Sequence, residues 1–313
     1  MIIPAIMAGS ADKPAPAVLA WEEQKPAGDA NKNWDCCDVS GNKMVAGIDG
    51  GRLYYFDGTE WSEQQPAGDV NQRWLFAKVE GNTIFAGAYG KRLWFYNGTS
   101  WAEVRPIDDN DYNWLFGDLD GGKMLAIQIA TGDNPNANFY YFNGTAWDKW
   151  ATLGDFTANR FNSVSLDGSV PRIIVGIDGG RLNFITAKDT LSEQQPAGNA
   201  NKDWNAVAAK QGKALAATKA GTPASPTGRL YYYNGSTWSE LQPEGDVERL
   251  YYSVSMQFGK FFVSASTSKI YFYNTTSWES EQPSGSAVLY DYVAISGNRR
   301  IVAKNNGRLY AFK

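Results

Sequence analysis

Trp21-Glu22-Glu23-Gln24-Lys25-Pro26-Ala27-Gly28-Asp29 returns as Trp61-Ser62-Glu63-Gln64-Gln65-Pro66-Ala67-Gly68-Asp69, and again as Leu191-Ser192-Glu193-Gln194-Gln195-Pro196-Ala197-Gly198-Asn199. Weaker copies begin at Trp101, Trp147, Trp238 and Trp278, so successive starts lie 40, 40, 46, 44, 47 and 40 residues apart. A fixed period in this range marks a repeat architecture, in which each unit buries its apolar faces against its neighbours.

The first unit shows the internal plan. Trp34 to Ser40 is followed by Gly41-Asn42, then Lys43 to Ile48; Gly50-Gly51 leads into Arg52 to Phe56, and Asp57-Gly58 into Thr59 to Gln65. Short runs rich in Val, Ile, Tyr, Phe and Trp, bounded by Gly, Asn or Asp, are strand signals. Asp57-Gly58, Asn97-Gly98, Asn143-Gly144 and Asn234-Gly235 read as two-residue hairpin turns, which need positive φ. No segment sustains a 3.6-residue apolar period. Four antiparallel strands, a to d from the axis outward, recurring every ~40–45 residues describe a propeller blade. Strand a begins near Trp34, Trp74, Trp114, Phe161, Trp204, Tyr251 and Tyr290.

The expected fold is all-β, a seven-bladed β-propeller of four-stranded antiparallel blades in one domain, residues 17–313, after an N-terminal arm of residues 1–16. The blades span about 34–66, 74–106, 114–152, 161–196, 204–243, 251–283 and 290–313 plus 17–26. The last unit stops after strand c, at Gly307 to Lys313, while Ala17 to Gln24 is a strand d with nothing before it. The spare strand matches the vacancy, so the N-terminal strand completes the last blade and removes an open sheet edge. Trp34, Trp74, Trp114 and Trp204 are expected between blades as core.

Charge and composition narrow the function. With 29 Lys and Arg against 33 Asp and Glu, and no basic run, the chain lacks an electrostatic footprint for nucleic acid. No stretch approaches the ~20 apolar residues of a membrane-spanning helix. The arm Met1-Ile2-Ile3-Pro4-Ala5-Ile6-Met7-Ala8 is apolar but short and lacks a basic n-region, so no clear signal peptide is read. Cytoplasmic synthesis with a virion or surface location follows as the expectation. Cys36 and Cys37 are adjacent, and neighbours on a strand face opposite ways, so they are badly placed for a disulfide. Without any histidine, no triad, dyad or metal site that needs imidazole can form. No cofactor or metal is expected.

Strand order puts the a–b and c–d turns on one face, tight and with little room for chemistry. The longer b–c and d–a loops share the other face, including two b–c insertions, Ile129 to Asn138 and Lys219 to Gly228. Loops on a rigid scaffold carry sites preferentially. There Arg recurs at the start of strand c, as Arg52, Arg92, Arg181, Arg229 and Arg308, with Lys269 in blade six. Acidic or amide residues recur in the d–a loops: Asp69, Asn71, Asp109, Asn199, Asn201 and Asp246. Arg52 with Asp69 and Arg229 with Asp246 could be ion pairs pinning neighbouring loops. Alternatively the rim of Arg, Asp and Asn beside aromatics suits sugars, whose hydroxyls need paired donors and acceptors. Repetition would then confer avidity. The sequons at Asn97, Asn143, Asn234 and Asn274 are accounted for by the repeated turn and are assigned no modification.

The run from Trp74 through Gly81, Ala86-Gly87, Leu93 and Trp101 resembles the sialidase-type repeat and the related photosystem-assembly-factor repeat of bacteria. The likeness covers nearly the whole chain in loose form and implies a propeller with a Trp near the end of each unit. The sialidase box Ser-x-Asp-x-Gly-x-Thr-Trp meets Asp57-Gly58-Thr59-Glu60-Trp61, with one residue fewer between Asp and Gly. No arginine triad with a Tyr–Glu pair can be placed. Blades rich in Trp and Tyr are similar, more weakly, to tectonin and tachylectin-like lectins, which implies sugar binding between blades.

Three function classes remain. The leading one is a non-catalytic module that binds glycans or other polar surface groups on the loop-rich face. The second is a structural component of a phage particle or cell-surface assembly, docked to a partner through residues 1–12. The third is a sialidase-like glycosidase working through paired carboxylates.

Overall fold

The computed structural model describes residues 20–90, 92–106, 113–129, 137–153, 161–177, 179–198, 201–219, 221–222, 225–245, 247–266, 269–284 and 288–313. The arm, residues 1–16, lies outside them. The ring has seven four-stranded antiparallel sheets. Strand a occupies Trp34–Ser40, Trp74–Glu80, Asn113–Asp120, Phe161–Asp167, Trp204–Lys210, Tyr251–Gln257 and Tyr292–Ser296. Each is followed outward by its own b, c and d strands, except in blade seven.

Blade seven is closed as expected. Its strand d is Trp21–Gln24, paired with Leu309–Phe312 in the register Trp21↔Phe312 to Gln24↔Leu309. Both ends of that strand are also tied to the flanking blades. Trp21 Nε1 donates to Glu281 Oε2 of blade six at 3.1 Å, and Gln24 Oε1 accepts from Trp61 Nε1 of blade one at 3.0 Å. The same outer bond joins Trp101 to Gln64 at 2.9 Å and Trp238 to Gln194 at 3.1 Å. The Trp-x-x-Gln spacing of the repeat is therefore a girdle: one blade's Trp donates to the preceding blade's Gln.

Seven apolar clusters fill the seven junctions, each drawing side chains from two adjacent blades. Trp34, Trp74, Trp114 and Trp204 are buried in them, as expected. Cys36 packs in the wedge between blades one and two and Cys37 in the wedge between blades seven and one, so the alternation of the strand separates them. Close approach is bought with glycine at Gly117, where a Cβ would come within 2.2 Å of the Phe76 ring.

Around the axis, each strand a is a sheet edge with unpaired N–H groups, and an unsatisfied buried donor is costly. Side chains of the preceding blade satisfy them. Asp38 accepts from Val79 N at 2.9 Å, Glu80 from Gly121 N at 2.8 Å, Asp118 from Leu166 N at 2.8 Å and Ser165 from Ala209 N at 3.0 Å. Ser255 accepts from Ile295 N at 3.2 Å and Ser296 from Gly41 N at 2.7 Å. At the fifth junction the direction reverses: Asn205 Nδ2 donates to Tyr251 O at 2.9 Å.

The c–d turns differ from the expectation. Phe56 pairs with Trp61 and Asp57 N donates to Glu60 O at 3.1 Å, so the two residues at the tip are Gly58-Thr59 and not Asp57-Gly58. Asp57 Oδ1 accepts from Thr59 N at 2.8 Å and from Glu60 N at 3.0 Å, so the side chain braces the turn alongside that backbone bond. Asn97, Asn143, Asn234 and Asn274 repeat this bond.

Candidate functional site

A channel of about 300 Å³ runs along the axis, lined by strand a of all seven blades. That volume is at the lower end for ligand pockets, and the wall is polar. Its charges are engaged with one another. Lys78 lies 3.8 Å from Asp118, and Lys210 is bonded to Asp120 across the channel. Burial works against the charge on Lys78, but Asp118 and Asp38 outweigh it and hold the ammonium above its ordinary range. Burial pushes the Asp38 carboxyl up, with Lys78 opposing. The channel is built as a satisfied network.

On the loop-rich face the repeated arginines have partners within their own blades. Arg52 lies 3.5 Å from Glu63, Arg92 2.5 Å from Glu103, Arg181 3.7 Å from Glu193, Arg229 3.0 Å from Glu240 and Arg308 3.2 Å from Glu23. All five acids occupy one place in strand d, opposite strand c in the ladder; Tyr54↔Glu63 and Tyr231↔Glu240 are examples. Arg52 also meets Asp69, at 2.5 Å, as the sequence suggested. Arg229 meets Glu248 at 3.3 Å. Asp109, Asn199 and Asp246 lie outside the described residues. Asn71 and Asn201 are exposed. Of the insertions, residues 130–136 are outside the described set, while Gly221–Thr222 pairs with Ser225–Pro226 as a small ladder in the other.

The strand d glutamates are the residues the sequence reading missed; the signal was the Glu at the third place of Trp-x-Glu. A further cluster depends on contact between blades. Arg73, just before strand a of blade two, reaches back to Asp35 at 3.3 Å and Asp49 at 3.5 Å. Burial pushes the Asp35 carboxyl up, and Arg73 counters it. The Arg73 guanidinium lies 5.7 Å from the centre of the Tyr89 ring, and Arg73 O accepts from Tyr89 N at 2.9 Å. Tyr89 is 50% exposed, and Val70 in the loop before Arg73 is 49% exposed. Gly51 and Gln72 bridge backbone to backbone and fix the two loops together. At the junction of blades one and two, an exposed aromatic ring thus stands beside Arg73, whose own d–a loop also carries Asp69 and Asn71.

No family model matches the sequence, and no curated protein matches it either. Solved structures do match. YCF48 from Cyanidioschyzon merolae aligns over 94% of this chain and 98% of its own at 13% identity, with a TM-score of 0.67. YCF48 bound to D1 peptide aligns over 96% and 98% at 9% identity and TM-score 0.67. Virginiamycin B lyase from Staphylococcus aureus aligns over 94% and 99% at 8% identity and TM-score 0.67. At these identities the likeness is one of fold.

Proposed function

We propose that the protein is a non-catalytic recognition module whose loop-rich face holds a glycan or a comparable polar group at the junction of blades one and two. The observation that carries this reading is Tyr89, a half-exposed ring whose backbone and neighbouring cation are both tied to Arg73. A sugar presents a C–H face that stacks on such a ring and hydroxyls that need both donors and acceptors. Arg73 beside it, and Asp69 and Asn71 in the same loop as Arg73, supply both kinds. The repeated arginines, neutralised by strand d glutamates, shape the loops and leave the ligand to this one junction.

A second reading, a polypeptide partner in an assembly, draws on two observations. The same fold holds a peptide in the YCF48 complex, and Val70 and Val247 add exposed apolar surface to this face. A glycan array of the full-length protein, repeated with Tyr89→Ala, separates the two. The glycan reading expects binding that falls at least about tenfold in Tyr89→Ala, a step of about 1.4 kcal/mol, with an unchanged melt. An empty array would overturn it in favour of a polypeptide.

A further inference from the structure

The opposite, turn-rich face carries a repeated cation of its own, at the first place of strand b: Lys43, Lys123, Arg172, Lys213, Lys260 and Arg299, interrupted only by Thr83. All six are half-buried. Their pairing differs sharply from that of the loop-rich arginines. Only Arg172 has a carboxylate, Asp167 at 3.5 Å. Lys43 and Lys123 donate to the backbone oxygens of Asp57 and Gly168, and Lys260 to the side-chain oxygen of Asn298. Lys213 and Arg299 have no hydrogen-bond or ion-pair partner among the described residues.

This face is also polarised around the ring. Strand a ends on Glu80, Asp120 and Asp167 in blades two to four, but on Lys210, Gln257 and Ser296 in blades five to seven. In the middle of this cationic arc stands Phe258, 61% exposed at φ +50°. At the same place in the turn, Gly41, Gly81, Gly121 and Gly297 take φ of +58°, +56°, +63° and +62°. A bulky residue is rarely found there. An exposed ring in a strained conformation gives the fold nothing, and such positions cluster at binding sites.

We propose that the arc Lys213, Phe258, Lys260 and Arg299 is a docking site for an acidic polypeptide segment with an apolar anchor, independent of the loop-rich site. The unpaired Lys213 ammonium and Arg299 guanidinium, with Lys260 held only by the neutral Asn298 oxygen, match carboxylates, and the exposed Phe258 ring matches one hydrophobic side chain. Phosphate is disfavoured because the turn N–H groups that would cradle it are taken: Gly297 N by Gln257, Gly41 N by Ser296, and Gln211 N and Gly212 N by Asp167.

The test is fluorescence anisotropy with a labelled peptide of glutamates around one leucine, at low ionic strength. The full-length protein should bind it, and added salt should weaken the complex. Lys213→Gln, Lys260→Gln and Arg299→Gln combined should weaken binding about tenfold or more. Phe258→Gly should also weaken it without lowering the melting temperature, which distinguishes lost contact from lost folding. Tyr89→Ala should leave it unchanged. No binding by the wild type, or full binding by the triple variant, overturns the proposal. Equal competition by inorganic phosphate or oligothymidylate overturns the acidic-peptide assignment in favour of a phosphate site.

Discussion

The two faces of the ring carry repeated cations at equivalent places in their blades and use them in opposite ways. On the loop-rich face Arg52, Arg92, Arg181, Arg229 and Arg308 each meet a glutamate of the neighbouring strand. On the turn-rich face Lys213 and Arg299 meet none among the described residues, and Lys43, Lys123 and Lys260 meet neutral oxygens. Repetition by itself therefore does not separate structure from binding. What separates them is whether the repeated charge is already answered within the blade.

Both faces exist only while the ring is shut, so the largest expected effect comes from opening it. Deleting residues 1–26 removes the strand paired with Leu309–Phe312 and the Trp21–Glu281 and Trp61–Gln24 bonds. Loss of a cooperative melt by circular dichroism is the expected outcome; an unchanged melt would break the closure account. Next in size, Trp74→Ala empties the wedge beneath the Tyr89 site, where Trp74 is 2% exposed. It should cost ~3–5 kcal/mol in denaturant titration.

A smaller effect belongs to the loop-rich face alone. Burial pushes the Glu244 carboxyl up, but hydrogen bonds from Lys269, Arg249 and Tyr271 outweigh it and hold it at about 2. A carboxyl depressed on folding stabilises above its unfolded value, about 4.3, and that stability is lost as pH falls toward 2. Glu244→Gln should therefore lower the melting temperature at pH 7 by a few degrees and leave it unchanged near pH 2. A deficit that persists in full at pH 2 would contradict this. Smallest of all, Phe258→Gly should hold or slightly raise the melting temperature, because it relieves a positive φ.

Much of the fold was legible because the repeat punctuates itself. Trp opens strand d and Gly-Asn or Gly-Gly closes the hairpins, and the unmatched strand at one end fits the gap at the other. The c–d turn was misplaced by one residue because Asp57-Gly58 has the composition of a two-residue hairpin tip, whereas the backbone closes between Asp57 and Glu60 around Gly58-Thr59 and the Asp57 side chain braces it. Turn length sets register, and register puts Glu63 across from Tyr54 within reach of Arg52. The cluster of Arg73, Asp35, Asp49 and Tyr89 was not readable at all, since it forms across a junction between blades and has no local spacing. The strain at Phe258 shows only in the backbone.

The most direct test of the contrast between the faces is a pair of thermal melts at low salt. One variant combines Arg52→Gln, Arg92→Gln and Arg229→Gln; the other combines Lys213→Gln, Lys260→Gln and Arg299→Gln. The first should lose stability on the order of 1–2 kcal/mol, since each exposed pair is worth ~0.2–1 kcal/mol. The second should hold its melting temperature or gain slightly as like charges are removed. Equal losses in both, or a loss confined to the second, would contradict the account.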